Sequence, residues 1–243
     1  MKNKACKTLA PMLDLEIEKI ERSACRSVDI ASIPDESTRK VFESSLAWLE
    51  NFVMKPHAEL GRRGEVCPFA KPAHYRGSLV FCAWNAEDLS FDTFLRILNS
   101  LPAVYYRILT QSRLDARFFS VYIHVDNLKE EQYFKYIDDA HSLTKPGFMA
   151  AGLMIGEFHP LSKTEGVHSK AFRPMRSPHP AFVLRAITPH DALFIDQDNS
   201  PAEVRLRELL SYKQWVEKAL PVGERLKIDT RIAELSRASG KPA

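Results

Sequence analysis

Apolar residues recur at helical spacing in the first quarter of the chain. After Asp35, a residue type that caps helix N-termini, they follow in steps of four, three and four, at Phe42, Leu46, Leu49 and Val53. Such steps place the side chains on one helical face. The helix is predicted to end before Pro56, because a proline disfavours helical geometry in the residue that precedes it. Residues 1–34 are predicted to form an N-terminal arm.

The middle of the chain alternates predicted strands with predicted helices. Short apolar or alternating runs, rich in aromatic and β-branched residues, predict strands at residues 79–84, 118–125, 149–158 and 181–187. Helical spacing predicts one helix across residues 94–108, which Pro102 should kink or split, and another around residues 133–140. A loop of about 22 residues separates the last two strands, and loops of this length are often functional.

The last part of the chain, residues 200–243, carries two apolar stripes at helical spacing. The order of elements predicts an α+β or three-layer fold, with a mixed sheet of at least four strands, packed helices and a helical C-terminal extension. The predicted parts are an N-terminal arm at 1–34, an α+β core at 35–199 and the helical extension at 200–243.

Composition and charge argue against several classes of protein. The 243 residues carry 34 Lys and Arg against 31 Asp and Glu, and the net charge of +3 is too small to predict nucleic-acid binding. The longest uncharged run, residues 146–156, is about half of the roughly 20 residues that a membrane-spanning helix needs. The N-terminus lacks the apolar middle of a secretion signal, and the four cysteines form no C-x-x-C pair. We expect a cytoplasmic protein with free thiols that binds neither nucleic acid nor membrane.

The first candidate for chemistry is LGRRGEVCPF, residues 60–69. Two glycines flank Arg62 and Arg63, so the turn exposes guanidinium groups that can bind a carboxylate or a phosphate. Cys67 and Phe69 follow closely. The alternative is a solvated basic turn followed by a buried cysteine, since a buried free cysteine commonly acts as a small hydrophobe. As a nucleophile, Cys67 lacks a base nearby in the sequence.

The second candidate is GEFHP, residues 156–160, where a predicted strand ends. Pro160 favours extended geometry at His159 and places its imidazole at a sheet terminus, where it can ligate haem iron or another metal. Glu157 is expected on the same strand side as His159, where it would bind a cationic substrate group or pair with Arg185. The alternative is a histidine that is hydrogen-bonded to a backbone carbonyl.

The third candidate is the loop that follows, which contains FRPMRSPHP at residues 172–180. Its prolines stiffen the backbone and lower the entropic cost of presenting Arg173, Arg176 and His179 to an anion. Arg185 lies inside an apolar predicted strand and needs a charged partner, a ligand or access to water. The alternative is a surface connection with solvated arginines.

In this order the motifs resemble those of a known family. CPF after an N-terminal helix, GEFHP at a strand end and RPMRSPHP before another strand resemble the haem-dependent arginine N-hydroxylases and their YcgG-like relatives, over about residues 60–195. The resemblance implies a b-type haem (heme b) enzyme that uses dioxygen or peroxide to hydroxylate a nitrogen of a small amino-acid-like substrate.

The resemblance also implies roles for matching residues, with His159 as the proximal iron ligand. The implied cofactor-binding residues are Arg62, Cys67, Phe69, Arg173 and Arg176. The residues themselves add Arg185 as a further partner for a propionate and Glu157 as the candidate catalytic residue. No C-x-x-C-H motif occurs, so covalent haem attachment is not expected.

The predicted function is therefore that of a haem monooxygenase of specialised metabolism, an oxidoreductase acting on a small amino or guanidino compound. One alternative is a haem carrier or sensor without turnover. Another is a non-haem enzyme in which arginines bind a phosphate or carboxylate and Cys67 or His159 acts as acid, base or nucleophile. Apolar stripes in the arm and the C-terminal helices predict a homodimer.

Overall fold

The computed structural model contains a five-stranded sheet with the strand order β1-β2-β3-β5-β4. The strands are β1 (Cys25–Arg26), β2 (Leu79–Asn85), β3 (Ser120–Asp126), β4 (Leu153–Phe158) and β5 (Ala181–Ala186). β2 and β3 run parallel, whereas β1 is antiparallel to β2 and β5 is antiparallel to β3. The sheet is mixed and is packed by helices, which confirms the predicted α+β fold.

The structure describes residues 2–197 and 200–239, with the backbone alone for residues 2–11. Seven α-helices lie within these residues: α1 (Lys2–Arg22), α2 (Glu36–Trp48), α3 (Ala70–Tyr75), α4 (Phe91–Ser112), α5 (Ala140–Ala150), α6 (Ala202–Val216) and α7 (Val222–Ala238). Two π-helical segments adjoin them, Leu49–Val53 after α2 and Phe134–Asp139 before α5.

Helices cover both faces of the sheet. On one face, which we call the α2 face, the ring of Phe42 in α2 lies 5.2 Å from that of Phe81 in β2, and Phe81 stacks on Tyr122 of β3 at 4.9 Å. On the other, the α4 face, Trp84 of β2 stacks on Phe94 of α4 at 4.2 Å. Because side chains alternate along a strand, β2 supplies apolar rings to both layers.

The predicted helix after Asp35 is confirmed. The Asp35 carboxylate accepts a hydrogen bond from the backbone N–H of Thr38 at 2.7 Å and so caps α2. Phe42, Leu49 and Val53 are buried as the spacing predicts, and the last turn is π-helical.

Pro102 was predicted to kink or split the helix around it, and the split is wrong. α4 continues through Pro102 for 22 residues. A proline inside a helix costs about 3 kcal/mol, whereas burying one large apolar side chain contributes about 1.5–3 kcal/mol. Seven buried apolar residues of α4 therefore outweigh the lost hydrogen bond: Phe94, Ile97, Leu98, Leu101, Val104, Tyr105 and Ile108.

Residues before Asp35 contribute to the sheet. Cys25 of β1 pairs with Phe81 of β2, and the backbone N–H of Ser27 donates to Leu79 O at 2.8 Å. β4 begins at Leu153, four residues later than predicted, because α5 continues to Ala150. Cys25, Cys67 and Cys82 are free thiols, and the side chain of Cys6 lies outside the described residues.

The chain divides into two compact units. One comprises residues 1–142 and 155–185, and the other comprises residues 143–154 and 186–243. The second unit contains α6 and α7, which confirms the predicted helical extension as far as residue 239. In the part of the chain that the structure describes, no helix has both the length and the hydropathy to cross a membrane.

Candidate functional site

His159 directly follows β4 and is fully buried. Its backbone N–H donates to Met175 O at 3.3 Å, and its carbonyl accepts from Ser162 N–H at 3.2 Å. Both ends of the loop 159–180 are thereby tied to the strand end, and the backbone of His159 is held in place by its own loop.

The His159 imidazole has one paired and one unpaired nitrogen. Nε2 donates to Oδ1 of Asp138 at 3.0 Å, and Asp138 lies on the π-helical segment before α5. Nδ1 is buried and has no hydrogen-bond partner among the described residues. The rings of Tyr133 and Phe134 each lie 5.4 Å from the imidazole. The imidazole is thus oriented by a carboxylate and enclosed by two aromatic rings.

A second carboxylate–imidazole pair lies beside the first. Glu157 Oε2 is 3.4 Å from Nε2 of His141 in α5, and the same Nε2 donates to Ile155 O at 3.1 Å. The helix supplies Asp138 and His141, three residues apart, and the strand supplies Glu157 and His159, two residues apart. Both spacings place a pair on one face, so each helix residue meets a strand residue of the opposite type.

Asp138 and His141 are not among the site residues predicted from the sequence. The signal that was available is their spacing of three residues in a predicted helix, which puts an acid and a histidine on one helical face. π-Helical turns often mark functional sites, but the sequence alone does not predict where they occur.

Two cationic residues lie near His159. The ammonium of Lys163 lies 4.8 Å from the centre of the Phe134 ring. Arg176 is exposed, and its Nε donates to Ser162 O at 3.0 Å. Of the predicted arginines of the loop, Arg176 is the one attached to the turn that begins at His159.

The guanidiniums of Arg62 and Arg173 are bound within their own loops. Arg62 donates to the backbone carbonyls of Arg63, Glu65 and Val66 at 2.9–3.2 Å. Arg173 donates to two carbonyls of its own loop and lies 3.3 Å from Glu165. These contacts satisfy the arginines locally, so neither is directed to His159.

Cys67, Phe69 and Arg185 lie on the α2 face. The guanidinium carbon of Arg185 is 4.2 Å from the centre of the Phe69 ring, and Cys67 packs against the core that contains Phe42 and Tyr122. Glu157 and His159 instead contact α5 and the π-helical segment before it, and Tyr136 of that segment lies 5.1 Å from Phe94 on the α4 face. The predicted site residues therefore do not surround one common site, because the sheet separates them into two groups.

Two cavities within the described residues lie elsewhere. One, of about 300 Å³, is lined by Glu50, Asn51, Met54, Lys55, Lys71 and Tyr75. The other, of about 360 Å³, is lined by Leu226, Lys227, Thr230, Arg231 and Glu234. No group of three or more His, Cys, Asp or Glu side chains within the described residues is placed to hold a metal ion. A haem iron, unlike a metal held by three or more side chains, would need one protein ligand, which His159 could supply.

The donor chemistry at His159 fits a haem ligand, whereas three of the predicted propionate partners, Arg62, Arg173 and Arg185, do not lie beside it. A metal-bound histidine typically donates its other ring N–H to a carboxylate, and Asp138 accepts such a hydrogen bond. The buried Nδ1 is left without a donor, which costs about 1–3 kcal/mol unless a ligand or water compensates.

A family model described as a domain of unknown function (DUF6875) matches residues 42–224. The matched segment contains both carboxylate–imidazole pairs. No curated protein and no solved structure matches the chain.

Proposed function

The chain belongs to the family defined by the DUF6875 domain, and from that premise we propose that it binds heme b through His159 and oxidises a small amino or guanidino compound. The observation that carries this proposal is the fully buried imidazole with a carboxylate on Nε2 and no partner on Nδ1. The order of the CPF, GEFHP and RPMRSPHP motifs supports the same cofactor.

The residues around His159 have complementary roles in this proposal. Asp138 fixes the orientation of the imidazole by accepting a hydrogen bond from Nε2–H. Tyr133 and Phe134 supply aromatic surface that excludes water, and Lys163 and Arg176 supply cations for the two propionates. When bound, haem would supply the activation of dioxygen or peroxide that the side chains lack.

The site must open for a porphyrin to enter. His159 is fully buried, and neither of the two evident cavities adjoins it. Phe134 and Leu161 flank the site and are exposed, and the loop 159–180 has no regular secondary structure. Haem binding is therefore expected to displace the Phe134 ring or the start of this loop.

Titration of the purified full chain with haem tests the proposal. The wild-type protein should develop a Soret band, and His159→Ala should remove or markedly shift it. Asp138→Asn should weaken haem binding by about ten- to a hundredfold, as is typical for the carboxylate behind a metal-bound histidine. His168→Ala, which changes an exposed histidine of the same loop, is the matched control.

A wild-type protein that stays colourless with added haem would overturn the proposal, and so would an unchanged Soret band in His159→Ala.

Measurement of oxygen consumption distinguishes a haem enzyme from a haem carrier or sensor. A haem enzyme should consume dioxygen in the presence of a guanidino substrate and a reductant, whereas a carrier or sensor should not.

The two adjacent carboxylate–imidazole pairs favour a second candidate function. A non-haem enzyme would use Asp138 and His159 for proton transfer, with Lys163 and Arg176 binding an anionic substrate. Asp138 is the outer member of its pair, with 29% of its side chain exposed, and it connects the buried imidazole to solvent. This function would be favoured if the wild-type protein bound no haem and was active without iron. Both Asp138→Asn and His159→Gln should then lose that activity.

A further inference from the structure

A separate cluster of titratable side chains lies at the carboxyl ends of the parallel strands β2 and β3. Asn85 and Asp126 end these strands opposite each other, and Ala86 N–H donates to Asp126 O at 3.0 Å. His179 lies at the same edge, because Pro180 O accepts from Val125 N–H at 2.9 Å. Ligands of open α/β sheets bind outside the carboxyl ends of the strands.

Two histidines meet at this edge. Nε2 of His124 donates to Oδ1 of Asp126 at 2.6 Å. The rings of His124 and His179 lie 5.4 Å apart and nearly perpendicular, and Nε2 of His179 is 3.1 Å from Oγ of Ser44 in α2. His124 is 4% exposed, and its Nδ1 has no partner among the described residues.

The edge is rich in negative charge. The loops that leave β2 and β3 are joined by a hydrogen bond from Asn127 Nδ2 to Asn85 Oδ1 at 2.9 Å. Between them, residues 85–90 and 126–131 carry one lysine, Lys129, and five carboxylates: Glu87, Asp88, Asp126, Glu130 and Glu131. The second oxygen of Asp126 receives no hydrogen bond from any residue that the structure describes. The electrostatic potential at this edge therefore favours a cation.

His179 is suited to the same ligand. Burial lowers the pKa of His179, and the neighbouring His124 lowers it further, while Asp126 opposes both effects. The imidazole is consequently neutral at pH 7 and does not repel a cation.

We propose that Asp126, His124, His179 and Ser44 form a binding site for a small organic cation, an alkylammonium or guanidinium compound. The Asp126 carboxylate is the anionic acceptor, and His124 fixes its orientation from behind. The two imidazoles and the Ser44 hydroxyl supply further polar groups around it. This inference does not rest on the proposed haem function. His124 is two residues from Tyr122 and shares the α2 face with it, whereas His159 contacts the π-helical segment before α5.

Titration of haem-free protein with agmatine, which carries both a guanidinium and an ammonium group, tests this site. Imidazole resonances of His124 and His179 should shift in long-range ¹H–¹⁵N spectra. Asp126→Asn should weaken agmatine binding by at least about tenfold, because a hydrogen bond to a charged group contributes about 1.5–3 kcal/mol. Asp115→Asn is the matched control, since Asp115 precedes β3 and therefore lies toward the amino end of the strand that Asp126 ends.

Three further measurements decide the outcome. His179→Gln, which keeps a hydrogen-bonding side chain, should weaken binding several-fold and covers the case in which Asp126→Asn does not fold. The wild-type titration repeated with added haem should give the same agmatine affinity at this site, so that failure of the haem proposal is distinguishable. An arginine-containing tripeptide as a second probe distinguishes a protein side chain from a free metabolite as the source of the cation. Absence of any imidazole shift with either probe, or equal binding by Asp126→Asn and Asp115→Asn, would overturn the inference.

Discussion

Two buried histidines have the same arrangement of hydrogen bonds. His159 donates through Nε2 to Asp138, and His124 donates through Nε2 to Asp126, while both Nδ1 atoms are buried without a partner. A buried polar atom without a partner is unfavourable by about 1–3 kcal/mol. Satisfying both nitrogens with protein groups would have removed this cost, so the unpaired atoms mark places where a ligand or a bound water completes the structure.

At the same scale, Gly152 sets the turn from α5 into β4. Its φ of +82° is a left-handed conformation, and a Cβ atom there would lie 2.8 Å from the Trp215 ring. Gly152→Ala should therefore lower the free energy of unfolding by at least about 1–2 kcal/mol, the cost of left-handed geometry for a residue with a side chain. Denaturant unfolding followed by circular dichroism measures this loss.

Gly223 provides the matched control. It lies in α7, and a Cβ atom there would have no neighbour within 4 Å. Gly223→Ala should leave stability unchanged or raise it by up to about 1 kcal/mol, because alanine favours the helix. Equal destabilisation by the two substitutions would contradict the role assigned to Gly152.

At the scale of elements, both π-helical segments adjoin predicted or candidate site residues. Phe134–Asp139 carries Asp138, and Val53 at the end of Leu49–Val53 accepts a backbone hydrogen bond from Cys67 N–H at 2.9 Å. A π-helical turn inserts a residue into the helical repeat and redirects the side chains that follow. The pairing of Asp138 and His141 with the end of β4 depends on how this segment enters α5.

One carboxylate joins α6 to α7 and makes that connection sensitive to acid. Asp196 Oδ1 accepts from Arg205 Nε of α6, and Asp196 Oδ2 accepts from Arg231 Nε of α7, both at 2.6 Å. Burial alone would raise the pKa of Asp196, but the hydrogen bonds from Arg231 and Arg205 outweigh it and lower the pKa. The folded state therefore binds this proton less readily than the unfolded state does.

The stabilisation from Asp196 should be fully present above the unfolded pKa of about 3.9 and should be lost as the pH falls through the lower folded value. Thermal unfolding measured across this range should show the loss in the wild type and a smaller pH dependence in Asp196→Asn. Glu224→Gln, which removes an exposed ion pair with Lys227, should leave the pH dependence unchanged. If Asp196→Asn showed the same pH dependence of thermal unfolding as the wild type, the role of Asp196 in acid sensitivity would be refuted.

At the scale of the whole molecule, the prediction of a homodimer rests on apolar surface. Leu210, Trp215, Val222 and Leu226 of α6 and α7 are each about half exposed or more, between 48% and 64%. Light scattering coupled to size exclusion should give twice the mass of the chain. A monomer at micromolar concentration would refute the dimer, and Leu226→Glu should dissociate it if these helices form the interface.

Local patterns in the sequence were enough to locate most elements. The cap at Asp35, the helical spacing after it, the alternation in β3 and the proline after His159 are local signals, and each predicted its element or its end. The spacing of Glu157 and His159 also gave their common strand side. Propensity, capping and alternation act over a few residues, so a single sequence contains them.

Other features depend on residues far apart in the chain. The strand order β1-β2-β3-β5-β4 places β5 between β3 and β4, and no local signal specifies which strands become neighbours. Burial of seven apolar side chains kept α4 continuous through Pro102, although local propensity predicted an interruption.

The sequence by itself determined that a histidine stands at a proline-ended strand within an α+β protein. Only the tertiary structure decided that Asp138 pairs with this histidine, that Arg185 and Phe69 lie on the other face, and that His124 and His179 meet. The physical reason is that a sheet has two faces and each is completed by helices from distant parts of the chain. The partners of a buried polar group are therefore chosen by packing rather than by sequence spacing.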